Sequence, residues 1–187
     1  MTETTAGSGS PGIRDEGRVW RWDIELRPRV READPSEWGL LRAIEDAGDE
    51  IFLEVGIGPF QSLEEDDHLA TAAVVLVSGT PPRGFACVDV VDGVAHLWQL
   101  SVHPSWGRQG IGRALVEAVC DWASSNGYPA VTLTTFRDVP WNAPFYGRLG
   151  FRTLDELPPG LAAIREHEKD LGDDDFGPRV AMRRDLA

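Results

Sequence analysis

Cysteine is scarce in this 187-residue chain: Cys87 and Cys120 are the only two. Two thiols make neither a disulfide framework nor a metal-ligand set, so no metal site is expected and a reducing cytoplasm is the expected setting. Long apolar runs are missing too. Nothing approaches the roughly 18 consecutive apolar residues of a membrane helix, so no membrane partner is expected. Residues 1–17, rich in Thr, Ser and Gly, carry no apolar block and read as a disordered tail, not a signal peptide. Positive charge is in short supply. Eighteen Lys and Arg against 31 Asp and Glu give a formal net charge of −13, which argues against nucleic-acid binding. The acidic runs at 64–67 and 173–175 read first as solvated surface, and only weakly as a match for a cationic partner. What is present is a core: 42% hydrophobic residues, with seven Trp and seven Phe, fit one domain.

The periodicities place elements in the order β-α-α-β-β-β-α-β-α-β-α-β, a mixed α/β domain in which no repeat is visible. A first strand is expected at 24–29. A helix follows from Pro35 and carries Trp38, Leu41 and Ile44, with Asp34 or Ser36 as cap, and a second short helix is expected at 50–55. Strands follow at 71–77, 85–91 and 94–102, the last two joined by the hairpin pair Asp92-Gly93. Residues 109–125 read as the clearest helix, with Ile111, Leu115, Ala118, Val119 and Trp122 on one face. A strand at 130–136, a helix at 141–149, a strand at 151–154, a helix at 159–169 and a strand at 179–182 complete the chain.

The most informative stretch runs from Gln99 to Leu115. An apolar strand enters a turn, Gly110 and Gly112 sit two apart, and an amphipathic helix begins. Glycines permit close backbone approach, and the free N–H groups and positive dipole end of a helix bind anions, so the stretch suits phosphates. Arg108 and Arg113 add charge. A Walker loop fails for want of Gly-Lys-Ser/Thr. A Rossmann fingerprint fails because the turn follows three antiparallel strands rather than opening a βαβ unit. Taken alone, the turn also fits a generic loop.

Its neighbours narrow the choice. "HLWQLSVHP", "GRQGIGRAL", a strand about twenty residues later and "NAPFYGRLGF" follow one another in a fixed order. Together they resemble the GNAT superfamily of acyl-CoA-dependent N-acyltransferases over residues 24–154, with 179–182 as the closing strand. The resemblance implies a mostly antiparallel central sheet, helices on both faces and a V-shaped opening between the two middle strands. The domain would span residues 18–187, with 157–178 as an extra helix and loop before the last strand.

The resemblance also assigns roles. Acetyl-CoA is the implied co-substrate, held by the backbone of Leu100 and Val102, with Ser101 between them, and by the turn Arg108, Gln109, Gly110, Ile111, Gly112 and Arg113. The family pattern begins with Arg or Gln where this chain has Gly107. Backbone N–H groups from 108 to 113 are therefore expected to carry the phosphate grip. Asn142 and Tyr146, four apart on a helix, are assigned to the cofactor arm and to protonation of the leaving thiolate. The same segment also reads as ordinary packing through Phe145, Leu149 and Phe151.

For the general base, period two on 94–102 puts His96, Trp98 and Leu100 on one face, and histidine has a suitable pKa. A structural strand histidine is the plainer reading. Asp89, Glu50 and Glu54 are weaker candidates, His103 has no implied role, and Cys87 and Cys120 read as core filler. Acceptor walls are implied in 38–61, including Asp49, Glu50, Phe52 and Phe60, with Trp141 as a lip. The segment 157–175 either covers the site or mediates a homodimer. The implied activity is acetyl transfer to a primary amine of a small-molecule acceptor, by direct attack in a ternary complex. A protein lysine or N-terminal acetyltransferase and a non-catalytic acyl-CoA-binding module are the alternatives.

Overall fold

The computed structural model describes residues 28–58 and 68–186. Seven strands form one sheet: β1 (Val30–Glu32), β2 (Val74–Ser78), β3 (Gly84–Val91), β4 (Val94–Val102), β5 (Ala130–Phe136), β6 (Arg152–Thr153) and β7 (Arg179–Asp185). Their spatial order is β1-β2-β3-β4-β5-β7-β6. Every neighbouring pair is antiparallel except β4 and β5, as the expected mixed, mostly antiparallel sheet requires. No helix among the described residues is long and apolar enough to cross a membrane.

Helices cover both faces. On one face α3 (Ile111–Ser125) buries Ile111, Leu115, Val116 and Val119 against Ala86, Val88, Ala95, Leu97, Val131 and Leu133. Tyr146 of α4 (Ala143–Arg148) and Leu149 just beyond it join that cluster. On the other face α1 (Trp38–Leu53) packs Leu41 and Ile44 against Val77, Phe85 and Cys87. There α5 (Pro159–Asp170) lies over β5, where the Thr134 hydroxyl donates to Glu168. Burying a large apolar side chain contributes about 1.5–3 kcal/mol, so these two clusters hold the sheet between its helices.

Several expected elements moved, each for a physical reason. The first strand begins at Val30, and Pro28 and Arg29 precede it; proline has no N–H to give a ladder. The rest of the expected 24–29 strand lies outside the described residues. The two early helices are one, because no proline or cap interrupts α1 before Leu53. Asp34 is the cap, accepting from the Ser36 N–H while Glu37 accepts from the Asp34 N–H. Thr71 ends a short helix α2 (His68–Thr71) instead of opening a strand. The phosphate-turn helix starts at Ile111, not 109, because Gly110 is left-handed at φ 81°. The helix expected at 141–149 spans Ala143–Arg148, and β7 runs on to Asp185. The Asp92-Gly93 hairpin is present, with positive φ at both residues, as a type I′ turn requires.

Cys87 pairs with Gln99 but Val88 pairs with Leu97, so Trp98 is an extra residue, a bulge in β4. The bulge reverses parity along the strand. Ala95, Leu97, Leu100 and Val102 all pack on the α3 side, while His96 meets Thr132 and Ser101 lies beneath Gly48 of α1 on the other. His96 and Leu100 therefore do not share a face, contrary to the period-two expectation.

Candidate active site

β4 and β5 are paired in only two rows, Ala95↔Val131 and His96↔Thr132. Beyond them β4 continues to Val102, while β5 continues to Phe136 paired with β7 alone. The strands part, and a cavity of about 2270 Å³ runs through the gap. Arg108, Gly110, Gly112, Asn142, Phe145 and Tyr146 line its α3–α4 side. Glu45, Asp49, His96, Trp98, Glu168 and Arg179 line the α1–α5 side. Leu100, Ser101, Val102, Ile111 and Arg113 also reach it, whereas Gln109, expected to do so, is not among the lining residues.

The turn before α3 is built to present N–H groups. A 3₁₀ turn at Pro104–Trp106 follows β4, with the His103 ring accepting from the Ser105 N–H at 3.2 Å, which makes His103 a cap. Arg108 (φ 58°) and Gly110 (φ 81°) then adopt left-handed conformations. The Ala114 N–H donates to Gly110 O at 2.9 Å and closes the first helical turn. The N–H groups of Ile111, Gly112 and Arg113 precede that bond and lack intrahelical acceptors, at the positive end of the helix dipole. Gly84 lets this helix start seat on the sheet: a Cβ there would lie 2.8 Å from Ser101 O and 3.1 Å from Ile111 Cγ2. At Gly107 a Cβ would lie 3.1 Å from Pro104 O. The side chain missing from this position would thus crowd the 3₁₀ turn.

Asn142 is the N-cap residue of α4, makes no side-chain cap bond, and accepts the Tyr146 N–H at its carbonyl at 3.1 Å. That one-turn spacing brings both residues to the cavity. Tyr146 is 9% exposed and edge-on to Phe145 and Phe151, with centroids 5.1 and 5.7 Å away. Burial raises its phenol above the ordinary tyrosine range and keeps it protonated.

On the opposite side His96 is 1% exposed, with Nδ1 3.0 Å from Thr132 Oγ1 and the Trp98 ring 5.7 Å away. Burial pushes its pKa down to about 4, against weaker raising by Glu168 and Asp92. It is therefore a neutral imidazole near pH 7. Glu45 is pushed up to about 7 by burial and by Asp49 and Asp46, and Asp49 to about 6 by burial and Asp46. Glu50, Phe52, Glu54 and Trp141 line the same region, and Phe52 meets Trp141 edge-on at 5.8 Å. Asp89 does not line the cavity, and Phe60 lies outside the described residues. Both cysteines are buried, and burial pushes Cys87 up to about 12 and Cys120 to about 11, as suits core filler.

Sequence reasoning missed the ionic hub of α5. Arg165 is 7% exposed and bonds both Glu168 and Asp174, the latter at 2.7 and 3.0 Å. Arg179 donates to Glu168 at 2.8 and 3.3 Å and lies 3.6 Å from Asp173. The acids at 173–174 are thus partners of arginines, not free surface charge. The one signal was local: acids and arginines interleaved on a helix whose Arg165 and Glu168 are three apart. The segment 157–175 walls its own chain's cavity.

The family model for the acetyltransferase (GNAT) family matches residues 27–151. Solved structures share the fold at low identity. A GNAT-family acetyltransferase from Staphylococcus aureus Mu50 is 16% identical, with 85% of this chain and 99% of that one covered at TM-score 0.64. Rv2747 from Mycobacterium tuberculosis, solved with CoA and a second ligand, is 20% identical, with 86% and 100% covered at TM-score 0.59. A GNAT-family acetyltransferase from Brucella melitensis, solved with acetyl-CoA, is 17% identical, with 72% and 94% covered at TM-score 0.52. With the parted middle strands and a family match over most of its length, this chain belongs to the GNAT family of acetyltransferases and is an acyltransferase.

Proposed function

We propose that this protein transfers an acetyl group from acetyl-CoA to a primary amine of a small-molecule acceptor, by direct attack within a ternary complex. The observation that carries the reading is the gap between β4 and β5, which joins a phosphate-suited turn on one face of the sheet to a chamber of acids and aromatics on the other. The residues present fit the donor. Past His96, β4 has no strand partner on its β5 side among the described residues, so backbone groups of Leu100 and Val102, which alternate away from β3, are open to an amide-bearing arm, while Ser101 between them turns its backbone to β3. The N–H groups of the turn from Arg108 through Gln109, Gly110, Ile111 and Gly112 to Arg113 would hold the pyrophosphate, and Asn142 the arm. Acetyl-CoA supplies an acetyl thioester, the reactive acyl group.

The chain's own groups divide the proton work. The N–H near Leu100 polarises the acyl carbonyl. Tyr146, held protonated by burial, gives its proton to the leaving sulfur. His96, neutral near pH 7, would take the proton that the amine nitrogen loses, although burial makes it a weaker base than the ordinary imidazole expected from the sequence. The acids Glu45 and Asp49, both raised by burial and by neighbouring acids with Arg42 opposing at Glu45, suit with Trp98 and Trp141 a cationic, partly apolar amine. Two buried thiols support a reducing, cytoplasmic setting.

The test is a thiol-release assay with acetyl-CoA against polyamines, amino acids, aminoglycosides and peptides. Release stimulated by a small amine supports the reading. Stimulation by peptides alone would replace it with a protein acetyltransferase, and CoA binding without turnover on any amine with a non-catalytic module.

A further inference from the structure

We infer that the Thr132 hydroxyl is a positioning residue that fixes the His96 ring with its proton on Nδ1, leaving Nε2 as the bare nitrogen. The inference deepens the proposed function, because it rests on His96 acting as the proton acceptor.

A threonine hydroxyl has one hydrogen to give and lone pairs to accept with. Thr132 Oγ1 lies 3.4 Å from Ala95 O and 3.0 Å from His96 Nδ1. A backbone carbonyl only accepts, so that contact is a bond only when the hydroxyl hydrogen points to Ala95. Thr132 must then accept from His96, and Nδ1 must carry the proton. The opposite tautomer would draw the hydroxyl hydrogen to Nδ1 and leave the Ala95 contact unmade. One arrangement satisfies both contacts; the other satisfies one. Thr132 is 2% exposed and His96 1%, so water is a poor substitute for either partner.

Location gives the arrangement its use. His96↔Thr132 is the last paired row before β4 and β5 part, so the ring stands at the apex of the opening with its backbone held on both sides. The ionisable groups around it come from several elements. Asp89 is its cross-strand partner on β3, Asp92 sits at the hairpin, Glu168 lies on α5, and Glu45 and Asp49 of α1 line the same cavity. None of them is hydrogen-bonded to the ring, and among the described residues Thr132 is the ring's one hydrogen-bond partner, so it sets which nitrogen holds the proton. A bare Nε2 can accept a proton; an Nε2–H cannot.

The test is ¹⁵N NMR of histidine-labelled protein at pH 7, with the His96 ring assigned by loss of its signals in His96→Gln. Wild type is expected to show a protonated Nδ1 and a bare Nε2. Thr132→Val is expected to move the ring toward the Nε2–H form and to lower kcat roughly tenfold or more, with the KM for acetyl-CoA unchanged. Thr132→Ser, which keeps the hydroxyl, restores both. An Nε2–H ring in wild type, or a tautomer that Thr132→Val leaves unmoved, overturns the inference. The wild-type spectrum decides even where Thr132→Val fails to fold. If His96→Gln leaves turnover unchanged, the base reading falls separately, while the spectrum still decides the role of Thr132.

Discussion

Asp92, at the tip of the β3–β4 hairpin, accepts the backbone N–H of Gly160 at 2.9 Å, and its second oxygen accepts that of Leu161 at 2.9 Å. The first turn of α5, which opens on prolines and has no cap of its own, is thus capped by a residue far away in sequence. The fit leaves no room. A Cβ on Gly160 would lie 2.8 Å from Asp92 Oδ1 and 2.9 Å from Val91 Cγ1. Asp92→Ala should cost about 1 kcal/mol, the usual loss for a cap, and Gly160→Ala about 1–3 kcal/mol from overpacking. Urea unfolding monitored by far-UV circular dichroism measures both.

The carboxyl of Glu45 should make the fold less stable as pH rises. Its folded pKa is about 7, above the ordinary glutamate value of about 4.3, so the native state holds a proton that the unfolded state has lost between those limits. Stability therefore declines through that window, with the full penalty present above pH 7. Glu45→Gln should raise stability by about 1–3 kcal/mol at pH 8 and leave it unchanged at pH 4. Thermal melts at the two pH values decide the matter; an equal gain at both would contradict it.

Glu168 should behave in the opposite sense. Burial alone would raise its pKa, but Arg179, then Thr134 and Arg165, outweigh burial and hold it below the ordinary range. Its contribution is present above the unfolded pKa of about 4.3 and is lost as pH falls through the lower folded value. Glu168→Ala leaves Arg165 and Arg179 without their shared carboxylate and should cost about 3–5 kcal/mol near pH 7. Denaturant midpoints at pH 7 and pH 3 should show the cost shrinking in acid.

Tyr146→Phe removes the proposed proton donor and little else, since the ring remains among Phe145 and Phe151. Turnover should fall by about 10–1000-fold while calorimetry shows acetyl-CoA still binding. Unchanged turnover would end the assignment.

Gly110 and Gly107 separate backbone grip from side-chain grip. Gly110→Ala forces a left-handed conformation costing roughly 1–2 kcal/mol and disturbs the N–H groups that follow, so the Kd for CoA should rise about tenfold. Gly107 has ordinary φ, and the crowding of its Cβ against Pro104 O at 3.1 Å falls on the 3₁₀ turn ahead of the N–H groups, so Gly107→Ala should change the Kd less than threefold. Isothermal titration with CoA compares the two.

The sheet, the long helix and the Asp92-Gly93 turn were legible because each rests on a local pattern: apolar alternation, a 3.6-residue stripe, a dipeptide that tolerates positive φ. The glycine turn ahead of α3 was legible as a turn for the same reason. The bulge at Trp98 was not, since no residue type there announces an extra position, and missing it placed His96 on the wrong face relative to Leu100. The α5 hub was hidden because Arg179 meets Glu168 and Asp173 only after β7 returns to the sheet, which leaves the i,i+3 pair Arg165 and Glu168 as its one local trace. The Thr132 hydroxyl could not be read either; its partner is on another strand, and only the parallel register brings them together.

The two rows joining β4 to β5 have a mechanical meaning. Strands β1 to β4 form one plate and β5, β7 and β6 another, and the backbone crosses between them once, through α3. His96 with Thr132, and Asp92 with α5, rivet the two plates at one end; toward the other end they share no strand pairing. An arm lying between them would act as a keystone, so occupancy and rigidity rise together: ligand at a hundredfold excess over its Kd adds about 2.7 kcal/mol to the stability of the whole.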